Sequence, residues 1–334
     1  HHSIAVDVPS GVQSDSGAVL SALPRYDLTL ALGAWKWAHY LMPAAQHVGA
    51  LRLVDIGIDA EAQRDRFTSY VLGKPGLTPP ARDAHKYTRG LVAVVAGAMP
   101  GAALLAARAA QHGGAGYVKL LSDGAAIDSP PDLVTDSQPL GEALADPRIG
   151  CVLIGPGLGR DDSARRRLDH VLRLGRDIPT VLDADALMLV GPQGWPARSS
   201  RPFVLTPHAG ELAALAQAFA LPPTRGPLCA KAEQAMALSR MTHAAVVAKG
   251  PDTLACQHEH GTVVAPSVSS WLSSAGTGDV LAGLVASRLA CGADPLTAAS
   301  EALWLHGEAA RLSGPAFTAS DLANRVPEAY AACL

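Results

Sequence analysis

Leu91-Val92-Ala93-Val94-Val95-Ala96-Gly97-Ala98-Met99-Pro100-Gly101-Ala102-Ala103-Leu104-Leu105-Ala106-Ala107 reads as a strand, a glycine turn and the opening of a helix. Leu91–Ala96 is a short apolar run of strand type, and Gly101–His112 is a helix of small residues. Gly and Ala keep the start of that helix unobstructed, and the same small residues serve close packing of helix on sheet. The alternation continues toward the C-terminus. Strands are predicted at Tyr117–Leu121, Cys151–Ile154, Pro179–Leu182, Phe203–Leu205 and Ala244–Ala248. Helices are predicted at Asp162–Leu174, Glu211–Ala220 and Cys229–Met241. A hairpin over 252–265 follows, and helices at 278–291, 294–313 and 319–332 close the chain. Strand, helix, strand in repetition means an α/β fold with a mainly parallel sheet covered on both faces.

Toward the N-terminus, residues 3–8, 27–31 and 51–56 are short strand-like runs in a stretch of about 60 residues, too few for an α/β domain of usual size. The chain is therefore expected to open inside a domain. Residues 59–90 turn charged and rich in Pro and Gly, and read as a linker. The 334 residues, 17% charged and 49% hydrophobic, suit two units, one of them large. A net charge of −3 offers no basic footprint for nucleic acid or a membrane surface. No run approaches the roughly 18 apolar residues of a bilayer span. The five cysteines, scattered and without a Cys-x-x-Cys, read as reduced thiols of a cytoplasmic protein. His258-Glu259-His260 reads as a solvated turn, since no third metal ligand stands near it.

Open parallel sheets bind ligands beyond the carboxyl ends of their strands, and each polar or glycine-rich cluster falls there. In Ser274-Ala275-Gly276-Thr277-Gly278-Asp279-Val280-Leu281, backbone amides and the positive end of a new helix aim at one point, which suits a phosphoryl oxygen. Asp279 at its lip is placed to take a proton from an attacking alcohol. The same residues also read as a plain helix start with an acid in its first turn. Gly155-Pro156-Gly157-Leu158-Gly159 lets a ligand approach the backbone, or is a βα turn; its third glycine comes one residue too early for the dinucleotide fingerprint. Thr206-Pro207-His208-Ala209-Gly210-Glu211 offers Thr206 as N-cap and Pro207 as first helical residue, which leaves His208 without a capping duty. Lys249-Gly250-Pro251-Asp252-Thr253 can hold a nucleotide phosphate or ribose, or be a solvated turn. Asp183 and Asp185 cap the following helix or face a magnesium nucleotide, capping being preferred for at least one. No P-loop pattern occurs, so the set describes a phosphoryl-transfer cleft built without one.

In this order the motifs, with His85-Lys86-Tyr87-Thr88-Arg89-Gly90 ahead of them, resemble the ADP-dependent NAD(P)H-hydrate dehydratases of the ribokinase-like superfamily. The resemblance runs from about His85 to the end. It implies a three-layer sandwich over 85–334, and a reaction in which ADP, or ATP, phosphorylates the C6 hydroxyl of hydrated NADH or NADPH before phosphate leaves. It further implies Asp279 as base, the Gly276, Thr277 and Gly278 amides as anion hole, and Ala102, Gly157 and His208 as contacts to the hydrated nucleotide. Lys249, Gly250, Pro251, Asp252, Thr253 and Gly278 would contact the adenine nucleotide, with Mg²⁺ accompanying its phosphates. Relatives form homo-oligomers. Ala275 stands where many relatives have glycine, which is tolerable unless that residue needs positive φ.

Residues 1–60 resemble the tail of the NAD(P)H-hydrate epimerase domain, a partial Rossmann-like unit, with 61–84 as linker. Asp7 matches its substrate-binding Asp and Ser10 its potassium-ligand Ser. The upstream epimerase loop is not in this sequence, so these 334 residues are not expected to epimerise the hydrate. A kinase of a small alcohol and a nucleotide-binding regulator are the alternative readings.

Overall fold

A computed structural model describes residues 2–58, 69–175, 177–196, 200–224 and 230–334. Strands β1 (Ile4–Val6), β2 (Leu28–Leu32) and β3 (Ala50–Val54) form a separate parallel sheet, in the order β1-β2-β3. The next strand, β4 (Ser69–Val71), falls inside the stretch read as linker, yet pairs in parallel with a strand of the main sheet. It is only three residues long and lies at the sheet edge, so it carries no apolar run for a sequence reading to find.

The main sheet is built from β5 (Leu91–Val95), β6 (Tyr117–Leu121), β7 (Val134–Asp136), β8 (Ile149–Ile154), β9 (Thr180–Leu182), β10 (Phe203–Leu205), β11 (Ala245–Ala248), β12 (Leu254–Gln257) and β13 (Gly261–Val264). With β4 its order is β4-β13-β12-β11-β10-β9-β8-β5-β6-β7. Neighbours from β11 through β7 pair in parallel, and only the β11–β12 and β12–β13 pairs are antiparallel. The helices are α1 (Pro100–His112), α2 (Leu140–Ala143), α3 (Asp162–Leu172), α4 (Ala184–Leu189), α5 (Ala209–Ala218), α6 (Ala230–Thr242), α7 (Thr277–Ala290), α8 (Pro295–Ser313) and α9 (Ala319–Ala332). The expected mainly parallel α/β sheet is present. Cys229, expected to open α6, lies outside the described residues, as do 59–68 of the linker.

Two apolar cores flank the sheet. Val92, Val94, Leu153, Val181, Val204 and Val247 face α1, α7, α8 and α9. Leu91, Ala93, Val95, Ile154, Leu205 and Val246 face α2 to α6. Alternate residues of one strand thus enter opposite cores, which is why β5 is buried at every position and reads as one unbroken apolar run. The small residues of α1 have a packing role: a methyl on Gly283 of α7 would lie 2.1 Å from the Ala106 carbonyl oxygen. Only a bare backbone fits where these two helices cross, and that crossing carries the start of α7 to the strand ends.

The N-terminal unit docks on the main one. Leu41 is buried in the core shared with α3 to α6, and the Met42 N–H donates to Asp252 Oδ2 at 3.1 Å. Among the described residues, no helix is long and apolar enough to cross a membrane.

Candidate active site

The chain leaves β5 for β6 and β7 on one side and then returns to β8 on the other, so the sheet reverses its winding between β5 and β8. Open parallel sheets bind their ligands outside the strand ends at such a switch point. The Gly155–Gly159 turn after β8 lies against the loop after β5: the Met99 N–H donates to Gly157 O at 2.9 Å, and the Ala98 N–H to Leu158 O at 3.3 Å. Gly157 has φ +62°, and a methyl there would meet the Met99 carbonyl oxygen at 2.1 Å and Ala102 Cβ at 3.1 Å. The fold therefore brings Gly157 and Ala102 together.

The start of α7 stands above the neighbouring strands. Gly276 occupies the N-cap with φ +88°, a left-handed conformation that favours glycine. Ala275 is not among the positive-φ residues, so its methyl group is accommodated without strain. The Thr277 side chain turns back to the Leu272 and Ser274 carbonyls (2.7 and 2.9 Å), which pins the loop. The Thr277 N–H, the first of the helix, points to Ser274 O at 3.4 Å, and Asp279 lies in that first turn. Partial burial pushes the Asp279 carboxyl up to about 7; the neighbouring Asp183, Asp185 and Glu211 charges add to this, and Lys249 opposes it. A carboxyl group tuned to neutral pH is suited to proton transfer.

Lys249, at the end of β11, lies directly beside that turn: a methyl on Gly278 would meet Lys249 Nζ at 3.3 Å. The ammonium also donates to Asp183 Oδ1 at 2.7 Å. Burial draws the Lys249 pKa down, but attraction to Asp183 and their hydrogen bond outweigh it and hold the lysine charged. Asp183 is itself buried, at 1% exposure, and its Oδ1 accepts a second bond from Thr206 Oγ1 at 2.7 Å.

Several expectations change in detail. Asp183 stands at the N-cap of α4, but its side chain makes no capping bond. Asp185 does not cap either. Its Oδ2 accepts from the Gly159 N–H at 3.0 Å and its Oδ1 from Arg160 Nε at 2.7 Å, so it ties down the glycine turn. Thr206 is not the N-cap of α5, because its hydroxyl is bound to Asp183. The helix starts two residues later and His208 caps it, with Nδ1 accepting from the Gly210 and Glu211 amides at 3.0 and 3.2 Å. Its Nε2 lies 3.3 Å from Glu211 Oε1, so both ring nitrogens are engaged. The Lys249–Thr253 loop is closed internally by Thr253 Oγ1, which donates to Gly250 O at 2.7 Å. Asp252 is paired with Lys231 at 2.6 Å, and Pro251 is exposed.

Sequence reasoning missed His306, a buried residue of α8 whose Nε2 contacts Thr277 O at 2.9 Å. A single histidine on an apolar helix face was the available signal. The Thr206–Asp183–Lys249 linkage is likewise not visible in the sequence, although each of its members stands in a candidate cluster.

In the N-terminal unit, Asp7 is engaged by the Lys36 ammonium and by the Leu32 N–H (3.0 Å), and Ser10 is exposed. Among the described residues, no group of three or more His, Cys, Asp or Glu side chains is arranged to hold a metal ion.

The profile of the NAD(P)H-hydrate dehydratase family matches residues 92–330. The bifunctional NAD(P)H-hydrate repair enzyme Nnr of Salinibacter ruber is 31% identical over 370 residues, covering 98% of this chain and 66% of the relative. The Mycobacterium tuberculosis (strain CDC 1551 / Oshkosh) enzyme of the same name is 34% identical over 295 residues, covering 86% and 59%. The chain thus spans less than two thirds of the length of these relatives. The ADP/ATP-dependent NAD(P)H-hydrate dehydratase of Bacillus subtilis, co-crystallised with ATP and Mg²⁺, superposes with a TM-score of 0.63 at 28% identity, over 78% of this chain and 95% of that one. On the match over residues 92–330, this chain belongs to the NAD(P)H-hydrate dehydratase family.

Proposed function

We propose that this chain dehydrates the S form of hydrated NADH or NADPH at the expense of ADP or ATP, restoring the reduced nucleotide. The observation that carries this reading is the half-buried Asp279 carboxyl in the first turn of α7, tuned to about 7 and adjacent to the Lys249 ammonium. The ring hydroxyl at C6 is a poor leaving group, and phosphate is a good one. In the first step Asp279 takes the hydroxyl proton while the oxygen attacks the terminal phosphorus, and the shortened nucleotide departs. The Gly276, Thr277 and Gly278 amides and Lys249 face the charge that gathers on the transferring oxygens. In the second step the C6–O bond breaks, C5 loses a proton, the ring double bond re-forms and phosphate leaves.

Ala102 and Gly157, which meet where the loops after β5 and β8 touch, are assigned to the hydrated nucleotide. Gly278 and the Lys249–Thr253 loop are assigned to the adenine nucleotide, with Gly250, Pro251 and Thr253 contributing backbone. His208 joins the first group by the position of its turn, since its ring caps α5. Asp183 and Asp185 already have protein partners, so these side chains do not form a dedicated magnesium cage; an Mg²⁺ ion would come in on the nucleotide phosphates.

The same reading assigns residues 1–60 to the tail of an epimerase domain, with Asp7 and Ser10 at its substrate and potassium positions, and 85–334 to the dehydratase; 61–84 connects the two, and its β4 is an edge strand of the dehydratase sheet. The test is incubation with S-hydrated NADH and either ADP or ATP, following the absorbance of NADH. Recovery of that absorbance with stoichiometric phosphate supports the reading. A stable phosphate ester would instead mark a kinase of small alcohols.

A further inference from the structure

Asp183 is the most deeply buried carboxylate near the start of α7, and the reaction described above gives it no task. Its surroundings are built for one. A single oxygen, Oδ1, receives both the Thr206 hydroxyl and the Lys249 ammonium, each at 2.7 Å. Residues 183, 206 and 249 follow three successive strands, β9, β10 and β11, so the register of the sheet itself sets this convergence. The backbone is fixed as tightly. Gly155 adopts φ +131°, and a methyl there would stand 1.8 Å from the Asp183 carbonyl oxygen, so the glycine turn and Asp183 are pressed together. The Lys249 N–H donates to Pro207 O at 2.8 Å, which fixes the lysine at its other end.

An ammonium on a four-carbon stem has several rotamers open to it. Held by Asp183 it has one, and that one ends beside Gly278. We propose that Asp183 is a positioning residue: with Thr206 it anchors the Lys249 ammonium under the first turn of α7, so that the cation facing the transferring phosphoryl group and the base Asp279 keep a fixed separation.

This inference rests on the dehydratase reading, and its consequences differ from those of a merely structural carboxylate. If Asp183 works through Lys249, removing either gives the same defect, and removing both adds little. The charges facing Asp279 are Asp183, Asp185, Glu211 and Lys249. Loss of Asp183 removes a negative neighbour and frees a positive one, so Asp279 titrates lower. Loss of Lys249 moves it the other way.

The experiment is a double-mutant cycle of Asp183→Asn and Lys249→Met, reading kcat at saturating ADP and the acidic limb of its pH profile. Asp183→Asn is expected to lower kcat about 100-fold, the scale of a displaced catalytic group, with little change in KM for the hydrate. Its acidic limb should shift to lower pH, and that of Lys249→Met to higher pH. The double variant should be no slower than Lys249→Met alone. Independent, multiplying losses, or a limb that stays put, would overturn the proposal. Should Asp183→Asn not fold, Thr206→Val against Thr206→Ser decides: serine keeps the hydroxyl and should retain kcat within about twofold, whereas valine should lose roughly tenfold. Equal rates for these two would overturn it. Absence of turnover by the unaltered chain would refute the dehydratase reading instead. The titration of Asp279, followed without substrate by carbon NMR of labelled aspartate, would then still test the anchoring through the same opposite shifts.

Discussion

His306 Nε2 lies 2.9 Å from the carbonyl oxygen of Thr277, the first residue of α7. A ring nitrogen facing a carbonyl must donate, so the imidazole carries its proton on Nε2. Burial pushes its pKa down to about 4, although the Thr277 carbonyl works against this. The contact ties the start of α7 to α8.

Replacing His306 by leucine removes that donor and leaves the carbonyl with its helical partner alone. A loss of about 1–3 kcal/mol in stability is expected, read as a lower denaturant midpoint. The pH dependence carries a sign. Between about pH 6.5 and 4 the unfolded chain binds a proton at this position and the folded chain does not, so stability falls as the pH drops through that window. His306→Leu should flatten that part of the profile. An unchanged slope would show that the residue does not stay neutral in the fold.

Asp279 must be ionised to accept a proton. With its carboxyl pushed up to about 7, kcat/KM should fall as the pH drops below about 7, well above the usual carboxylate range. Asp279→Asn should lower kcat by roughly 10²–10⁴-fold, the range of general base catalysis, while calorimetry shows ADP still bound. Full activity of the asparagine variant would remove Asp279 from the mechanism.

The same shift affects folding. Asp279 has a folded pKa above its unfolded value, so its contribution is favourable at low pH, where it is protonated in both states. That contribution is lost as the pH rises through about 7, because the folded state must then hold a charge that burial disfavours. Asp279→Asn should therefore be more stable than the unaltered chain at pH 8, by on the order of 2–4 kcal/mol, and the difference should close toward pH 4. A variant both inactive and more stable is the mark of a site that sacrifices stability for function. Equal melting temperatures at pH 8 would contradict the shift.

The sequence made legible those parts of the site that depend on near neighbours. Gly276 to Asp279 precede a helix, and both the turn and the helix can be read from a dozen consecutive residues. The partners of Asp183 were not legible, because Thr206 is 23 residues away and Lys249 is 66 away. Local chemistry alone favours an Asp or Thr before a helix as a cap. Register across β9, β10 and β11 redirects both side chains to each other, and the cap of α5 then falls to His208. The short elements escape the sequence for a related reason. β4 and β7 have three residues each without the fully buried apolar run that marks the equally short β9 and β10, and α2 is one turn, so each is held by its neighbours rather than by its own pattern.

Gly155 and Ala275 make opposite predictions about glycine in these loops. Gly155→Ala asks an L-residue to adopt φ +131° and places a methyl 1.8 Å from the Asp183 carbonyl oxygen. No side chain can rotate out of the way, because the obstacle is backbone. Either the turn after β8 or the end of β9 must move, and the second of these carries the carboxylate that holds Lys249. A stability loss of at least about 2 kcal/mol is expected from backbone strain alone, together with a fall in kcat resembling that of Asp183→Asn. Ala275→Gly should leave kcat unchanged and lower stability by at most about 1 kcal/mol, because Ala275 is not in a positive-φ conformation and glycine only adds freedom to the unfolded chain. Thermal melts and steady-state rates on the two variants check both. A harmless Gly155→Ala would mean that the glycine turn and Asp183 are not pressed together in solution, and the path by which the turn supports Lys249 would fall with it.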